Sequence, residues 1–290
     1  MNDTGAVALP AGLSPSQGVA LLSLLADEDP AVYRTIRQRI LSCGPSAADW
    51  LRPHTMSDDP ALRRHAREIV LYFDRQAADD HFLAFCLRHG EEFDLEQGAL
   101  MLAQTRYPSL NPEAYQALLD TYARELRERV DFGSEPQELL AVINHYLFDE
   151  LGFTGNEQNY YAPENSYLNC VMDRRTGNPI NLCLVYILLA RRLRLPVAGI
   201  GLPGHFICRY QSSTDELYLD PFNHGRILSK ADCVQYLSRR NFSLDDDYLA
   251  PVTPRRLLHR VCGNLHQIYQ RLELASEAMR LQRYLVALRR

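Results

Sequence analysis

The chain nearly does without lysine. Lys230 is its one lysine among 31 basic residues, the others being arginine, and 36 acidic residues give a formal net charge of −5. A nucleic-acid surface needs a basic excess, so this balance argues against that class of partner. The preference for arginine reads as a compositional habit of the genome rather than as a functional feature. Also missing is any cysteine pair at C-x-x-C spacing. The seven cysteines (Cys43, Cys86, Cys170, Cys183, Cys208, Cys233 and Cys262) are odd in number and scattered. That suits reduced thiols in a cytoplasmic protein better than a disulfide framework or a structural zinc site. No glycine-rich phosphate loop or nucleotide fingerprint is present, and no cofactor is expected. The first dozen residues lack the basic start and apolar core of a secretory leader. The longest apolar run, Ile180 to Ala190, is broken by Asn181 and is too short to span a bilayer, so a core helix is expected there and no membrane segment.

What is present is ordinary in bulk and specific in pattern. A hydrophobic content of 46% and a charged content of 23% over 290 residues describe a globular chain of one large or two modest domains. Residues 1–14 carry no periodicity and read as a mobile tail. A weak repeat follows, in which Asp29-Pro30-Ala31-Val32 returns as Asp59-Pro60-Ala61-Leu62. Each Asp can cap a helix whose first position holds the Pro. Two such units make residues 15–92 a helical, HEAT-like region, or two unrelated capped helices. Asp94 with Gln97 forms a capping box for a helix over 95–105. Asn111-Pro112 opens another, with Tyr115, Leu118, Leu119, Tyr122 and Leu126 on one face, and a third covers about 135–150. The stretch 152–166 is rich in turn formers and aromatics and reads as a long loop.

Beyond the central apolar helix the period changes from helical to two. Short strands are expected at 197–201, 206–210 and 217–219, in a small antiparallel sheet. A closing helix begins near Pro254 with Leu257, Leu258, Val261, Leu265, Ile268 and Leu272 along its apolar face, and a second short helix follows. The expected class is α+β, with a helical N-terminal half, a helix packed on a small antiparallel sheet over 93–250, and closing C-terminal helices over 251–290.

The segments NSYLNCVMDRRTGNPINLCLVYILLARRLRLP, PGHFICRY and LDPFNHGRIL carry a resemblance. With ALMLAQTRYPSLNPEAY before them and RRLLHRVCGNLHQIYQ after, they resemble the SirB-type family of bacterial regulators. Members join a transglutaminase-like domain to C-terminal helices related to tetratricopeptide repeats, and certain eukaryotic F-box proteins carry the same module. The resemblance covers about two thirds of the chain, leaves out roughly the first ninety residues, and implies a fold more than a reaction.

The order of helix start, His and Asp is that of papain-like and transglutaminase-like thiol enzymes. In such sites a Cys at a helix N-terminus is the nucleophile, a His is base and then acid, and an Asp or Asn orients the His. His205 in PGHF and Asp220 in LDPF, fifteen residues apart, fit the last two roles. Equally, they fit a structural pair joining two strands. The place of the Cys falls at Pro179, which has neither a nucleophile nor an N–H. Asn178 reads as the N-cap, and Asn181 lies at the third position of the first turn. Cys183, one turn deeper, is either a displaced nucleophile or a small core hydrophobe. Cys170 precedes the helix, and Cys208 belongs to a strand core. Arg174 and Arg175, just before the helix, are either an ion-paired surface segment or anchors for an anionic ligand. His205, Asp220 and His224 could supply three metal ligands, but nothing in their spacing favours this over turn roles, and no metal is expected. Two readings follow. One is a regulatory pseudoenzyme whose old cleft, walled by Asn178, Asn181, Arg174 and Arg175, binds a protein or peptide partner. The other is a peptidase, amidase or acyltransferase using Cys183, His205 and Asp220.

Overall fold

The computed structural model describes residues 9–10, 12–240, 242 and 246–289. The tail expected over 1–14 lies largely outside them. The chain forms two compact units, one of residues up to Asp80 with Thr105–Pro108, the other of His81–Gln104 with Ser109 onward.

The first unit contains α1 (Pro15–Leu25), α2 (Pro30–Leu41), α3 (Ser46–Leu51) and most of α4 (Pro60–Arg88). Both repeat caps form. The Asp29 carboxylate accepts from the Ala31 N–H at 2.7 Å, and that of Asp59 from Ala61 and Leu62 at 2.8 and 2.9 Å. The second copy then runs on for 29 residues against 12 in the first, so the two units of the repeat differ in length. Leu25, Ile36, Ile40, Trp50, Leu51 and Ile69 form the core of this unit.

The second unit begins with α5 (Leu95–Gln104), α6 (Pro112–Arg129) and α7 (Pro136–Asn144). Asp94 and Asn111 cap the first two through their side chains. The last turn of the third expected helix, His145–Glu150, is a π-helix. The loop expected over 152–166 is partly ordered. It holds β1 (Thr154–Gly155) and a 3₁₀ turn, Pro163–Ser166. Then come α8 (Leu168–Arg174), β2 (Thr176–Gly177) and α9 (Pro179–Arg192), and β1 pairs in parallel with β2. Every residue of α9 from Pro179 to Ala190 except Ile187 is buried, as its apolar run requires, and it packs against α6, α8 and the sheet.

That sheet is antiparallel in the order β3 (Val197–Ile200), β4 (Ile207–Gln211), β5 (Glu216–Asp220), β6 (Arg226–Leu228). The register pairs Cys208 with Leu219 and Asp220 with Arg226. β6 and the following α10 (Lys230–Arg239) add to the three expected strands. α11 (Pro254–Arg271) and α12 (Ala275–Leu288) close the unit. Among the described residues no helix is long and apolar enough to cross a membrane.

The β5–β6 turn depends on Gly225, whose φ is +69°. A Cβ there would stand 2.4 Å from Asn144 Cγ and 2.6 Å from the Phe148 ring, while Asn144 Nδ2 donates to the Gly225 carbonyl at 2.7 Å. Both the left-handed backbone and the crowding oppose a side chain. Gly225→Ala is therefore expected to destabilise the protein by about 2 kcal/mol, read from the urea midpoint. A change below about 0.5 kcal/mol would show that the turn relaxes freely.

Candidate functional site

Three structural elements meet where the sequence motifs converge. The first is the start of α9. Asn178 caps it, its Oδ1 accepting from the Asn181 N–H at 2.9 Å and from Asn181 Nδ2 at 3.2 Å. Pro179 occupies the first helical position, where a missing N–H costs nothing. Asn178 Nδ2 donates to Ser166 Oγ at 2.8 Å, and Asn264 Nδ2 of α11 donates to the same oxygen at 3.1 Å. Asn165, Ser166, Asn178 and Asn181 are all buried, so this network fixes the helix start firmly.

The second element is the Leu202–His205 turn, which leads into β4. His205 Nε2 lies 2.8 Å from Asp220 Oδ2, at the end of β5. Asp220 also accepts from Asn223 Nδ2 at 2.7 Å and from the Asn223 N–H. Burial pushes the Asp220 carboxyl up, but the bonds from His205 and Asn223 outweigh this and hold it below the ordinary carboxylate value. It is thus ionised at neutral pH and can only accept. The proton of that bond therefore sits on His205 Nε2, which leaves Nδ1 as the ring nitrogen available to a ligand. Arg260 of α11 secures the backbone of the turn. Its Nη2 donates to the His205 carbonyl at 2.7 Å and to that of Leu202. Gly204, at φ +73°, leaves room for the Arg240 guanidinium, which would stand 2.7 Å from a Cβ.

The third element is a polar face of α11 opposite its apolar one. Arg256, His259, Arg260, Gly263, Asn264, Gln267 and Arg271 follow a helical period and line a cleft of about 680 Å³. Its other walls include Asn178, Pro179, Gly204, His205, Tyr160 and Tyr161. His205 and Gly204 also line a second cavity of about 490 Å³, bounded by Asp220, Phe222, Tyr236 and Arg240. The imidazole thus stands on a wall shared by two cavities.

The remaining candidates lie elsewhere. Cys183 is fully buried, its Sγ directed to the Phe206 carbonyl at 3.4 Å. Burial first, and then the neighbouring Cys208, push its thiol well above the ordinary cysteine value. It lines neither cavity. Asn181 is buried behind its cap. Arg174 lies 3.9 Å from Glu164, and Arg175, with φ +53°, donates to the Leu151 carbonyl at 2.6 Å. Neither borders either cavity. Cys170 is buried in α8 and Cys208 in β4. His224 meets the Phe148 ring edge-on, and no group of three or more potential metal ligands occurs among the described residues.

Ser166, Asn223, Arg260 and Asn264 were not picked out from the sequence. The signal for Arg260 and Asn264 was the polar period of α11, which runs beside the apolar one. Ser166 and Asn223 carry no local mark, since their roles come from partners distant in the chain or from a turn geometry set by the sheet.

Comparison with known proteins agrees with the α+β fold. A family model described as the transglutaminase-like superfamily matches residues 113–263. The chain is 39% identical over 197 residues to a UPF0162 protein of Xylella fastidiosa strain Temecula1, covering 66% of this chain and 70% of that protein. A second, from strain 9a5c, is 38% identical over 185 residues, covering 62% and 66%. F-box only protein 21 of Mus musculus is 33% identical over 142 residues, which are 46% of this chain but 22% of that protein. No solved structure matches. With the matched segment spanning α6 to α11 and containing both His205 and Asp220, the chain belongs to the transglutaminase-like superfamily.

Proposed function

We propose that this chain is a transglutaminase-like scaffold that binds rather than turns over, a regulatory module of the SirB type whose cleft receives a protein or peptide partner in the cytoplasm. One observation carries the reading. The helix start that would present a thiol to the imidazole is Asn178-Pro179, while Cys183, the cysteine nearest in sequence, is sealed in the core with its proton held. His205 and Asp220 then serve to shape the wall of the cleft. The tetratricopeptide-like pair α11 and α12 supplies further surface for the partner.

Alkylation under native conditions tests this. A thiol with a raised pKa and no solvent contact reacts slowly at any ordinary pH. Cys183 is expected to remain unlabelled by iodoacetamide from about pH 5 to pH 9, in the wild type and in His205→Ala alike, and to label only on unfolding. Fast labelling at low pH that disappears in His205→Ala would mark an activated thiolate. Together with thiol-dependent hydrolysis of a peptide or amide, it would replace this reading with that of an active enzyme.

A further inference from the structure

The cleft has a one-sided charge. Its lining includes Arg256, Arg260 and Arg271, and no Asp or Glu among the described residues. This is a local reversal in a chain whose net charge is −5. None of the three arginines has an acidic partner within ion-pair distance among the described residues. Arg260 spends its bonds on backbone carbonyls and stacks over the Phe206 ring at 5.5 Å, and Arg271 stands over the Tyr161 ring at 4.1 Å. The buried Nε2 of His259 has no hydrogen-bond partner among the described residues. Burial lowers the pKa of Arg260, a cost that an anion in the cleft would offset.

The spacing bears on what that anion is. Arg256 and Arg271 are fifteen residues apart on one helix, roughly 22 Å at 1.5 Å per residue. A single phosphate or carboxylate occupies a small part of that length. An extended chain covers it with about seven residues at 3.3 Å each. Polar side chains run its whole length, with Gly263 leaving a shallow point midway and Tyr160 and Tyr161 offering aromatic surface opposite.

We infer that this cleft binds an extended acidic peptide segment, whose carboxylates pair with Arg256, Arg260 and Arg271 along the polar face of α11. The inference rests on the reading of the cleft as a binding surface and names the chemistry of its occupant. Arginine suits the role because its planar fork meets a carboxylate with two parallel bonds. Asn264 and Gln267 supply neutral donors and acceptors for the peptide backbone between the charges.

The test is fluorescence anisotropy of a fluorescein-labelled octaglutamate peptide titrated with the full chain, at low and at physiological ionic strength. Octaglutamine and a labelled oligouridylate are titrated beside it, and inorganic phosphate is used as a competitor. Octaglutamate is expected to bind, more weakly as salt rises, and octaglutamine to fail. Arg260 holds the His205 turn, so the variants are Arg256→Gln and Arg271→Gln, both exposed. Combined, they are expected to weaken octaglutamate binding about tenfold with an unchanged circular dichroism spectrum. Equal affinity in the double variant, or equal binding of octaglutamine, overturns the inference. So does tighter binding of the oligouridylate, or displacement by phosphate at matched charge concentration, which would assign the cleft to nucleic acid or to a small anion. Thiol-dependent turnover would overturn the preceding reading without touching this one, and loss of octaglutamate binding would do the reverse.

Discussion

Arg255→Met is expected to unfold the second unit more readily than any other single change considered, lowering stability by about 4 kcal/mol and Tm by about 10 °C. Arg255 is only 4% exposed and has no acidic partner in reach among the described residues. Its guanidinium instead donates to the carbonyls of Cys86 and His89, at 3.0 and 2.9 Å, and to those of Leu288 and Ala287, at 3.0 and 2.6 Å. These carbonyls belong to the last turns of α4 and α12 and the residues just after α4, where backbone oxygens lack helical partners and the helix dipole favours a cation. One side chain at the start of α11 therefore closes two other helices. Methionine fills a similar volume but leaves several buried oxygens without donors, at about 1–3 kcal/mol each. Arg255→Lys should recover only part of the loss, because one ammonium cannot reach both sets of carbonyls. Chemical denaturation followed by circular dichroism reads the effect. A Met variant within about 1 kcal/mol of wild type would mean that water replaces the guanidinium.

The second large effect concerns Asp220→Ala. It removes the acceptor for His205 Nε2 and for both donors of Asn223, and is expected to cost about 3 kcal/mol at neutral pH. The cost has a signature in pH. Because the folded carboxyl titrates below its unfolded value, the native state favours the ionised form. The stabilisation is fully present above the unfolded value of about 3.9 and is lost as pH falls through the lower, folded value. Wild type and variant should therefore differ by a constant amount near neutrality and converge at acid pH below about 4. A gap that stayed constant into acid would show that Asp220 contributes by packing alone. The same measurement on His205→Ala separates the pair from the Asn223 bonds.

How far the sequence revealed this arrangement depends on how local each feature is. The central helix was legible from a handful of neighbours, with Asn178 as the cap, Pro179 at the first position and an apolar run behind them. His205 and Asp220 were legible as a pair because the motif order fixes both, and the antiparallel sheet brings the two together across β4 and β5. β6 has three residues and an exposed start, too few to establish a period. The helix α10 did carry a sign, in the reciprocal cap between Ser229 and Asp232, but with Asp in place of the usual Glu or Gln. The parallel pairing of β1 with β2 joins two residues on each side across a helix, and no local pattern encodes it. Ser166 shows the limit most clearly, since a serine in a turn becomes the junction of two asparagines only once α9 and α11 lie beside it. The cationic stripe of α11 was present in the sequence, but a search for core positions reads the apolar face and passes over its opposite.

Pro179 has one further effect. In chymotrypsin-like serine proteases the backbone amide of the nucleophile itself helps hold the negative oxygen that forms as a carbonyl is attacked. A proline at that position has no amide hydrogen to give. The first position of α9 thus offers the cleft neither an amide hydrogen nor a sulfur. A ligand carbonyl docking there would meet the ring of Pro179 in place of that amide, and would be held by its flanks instead.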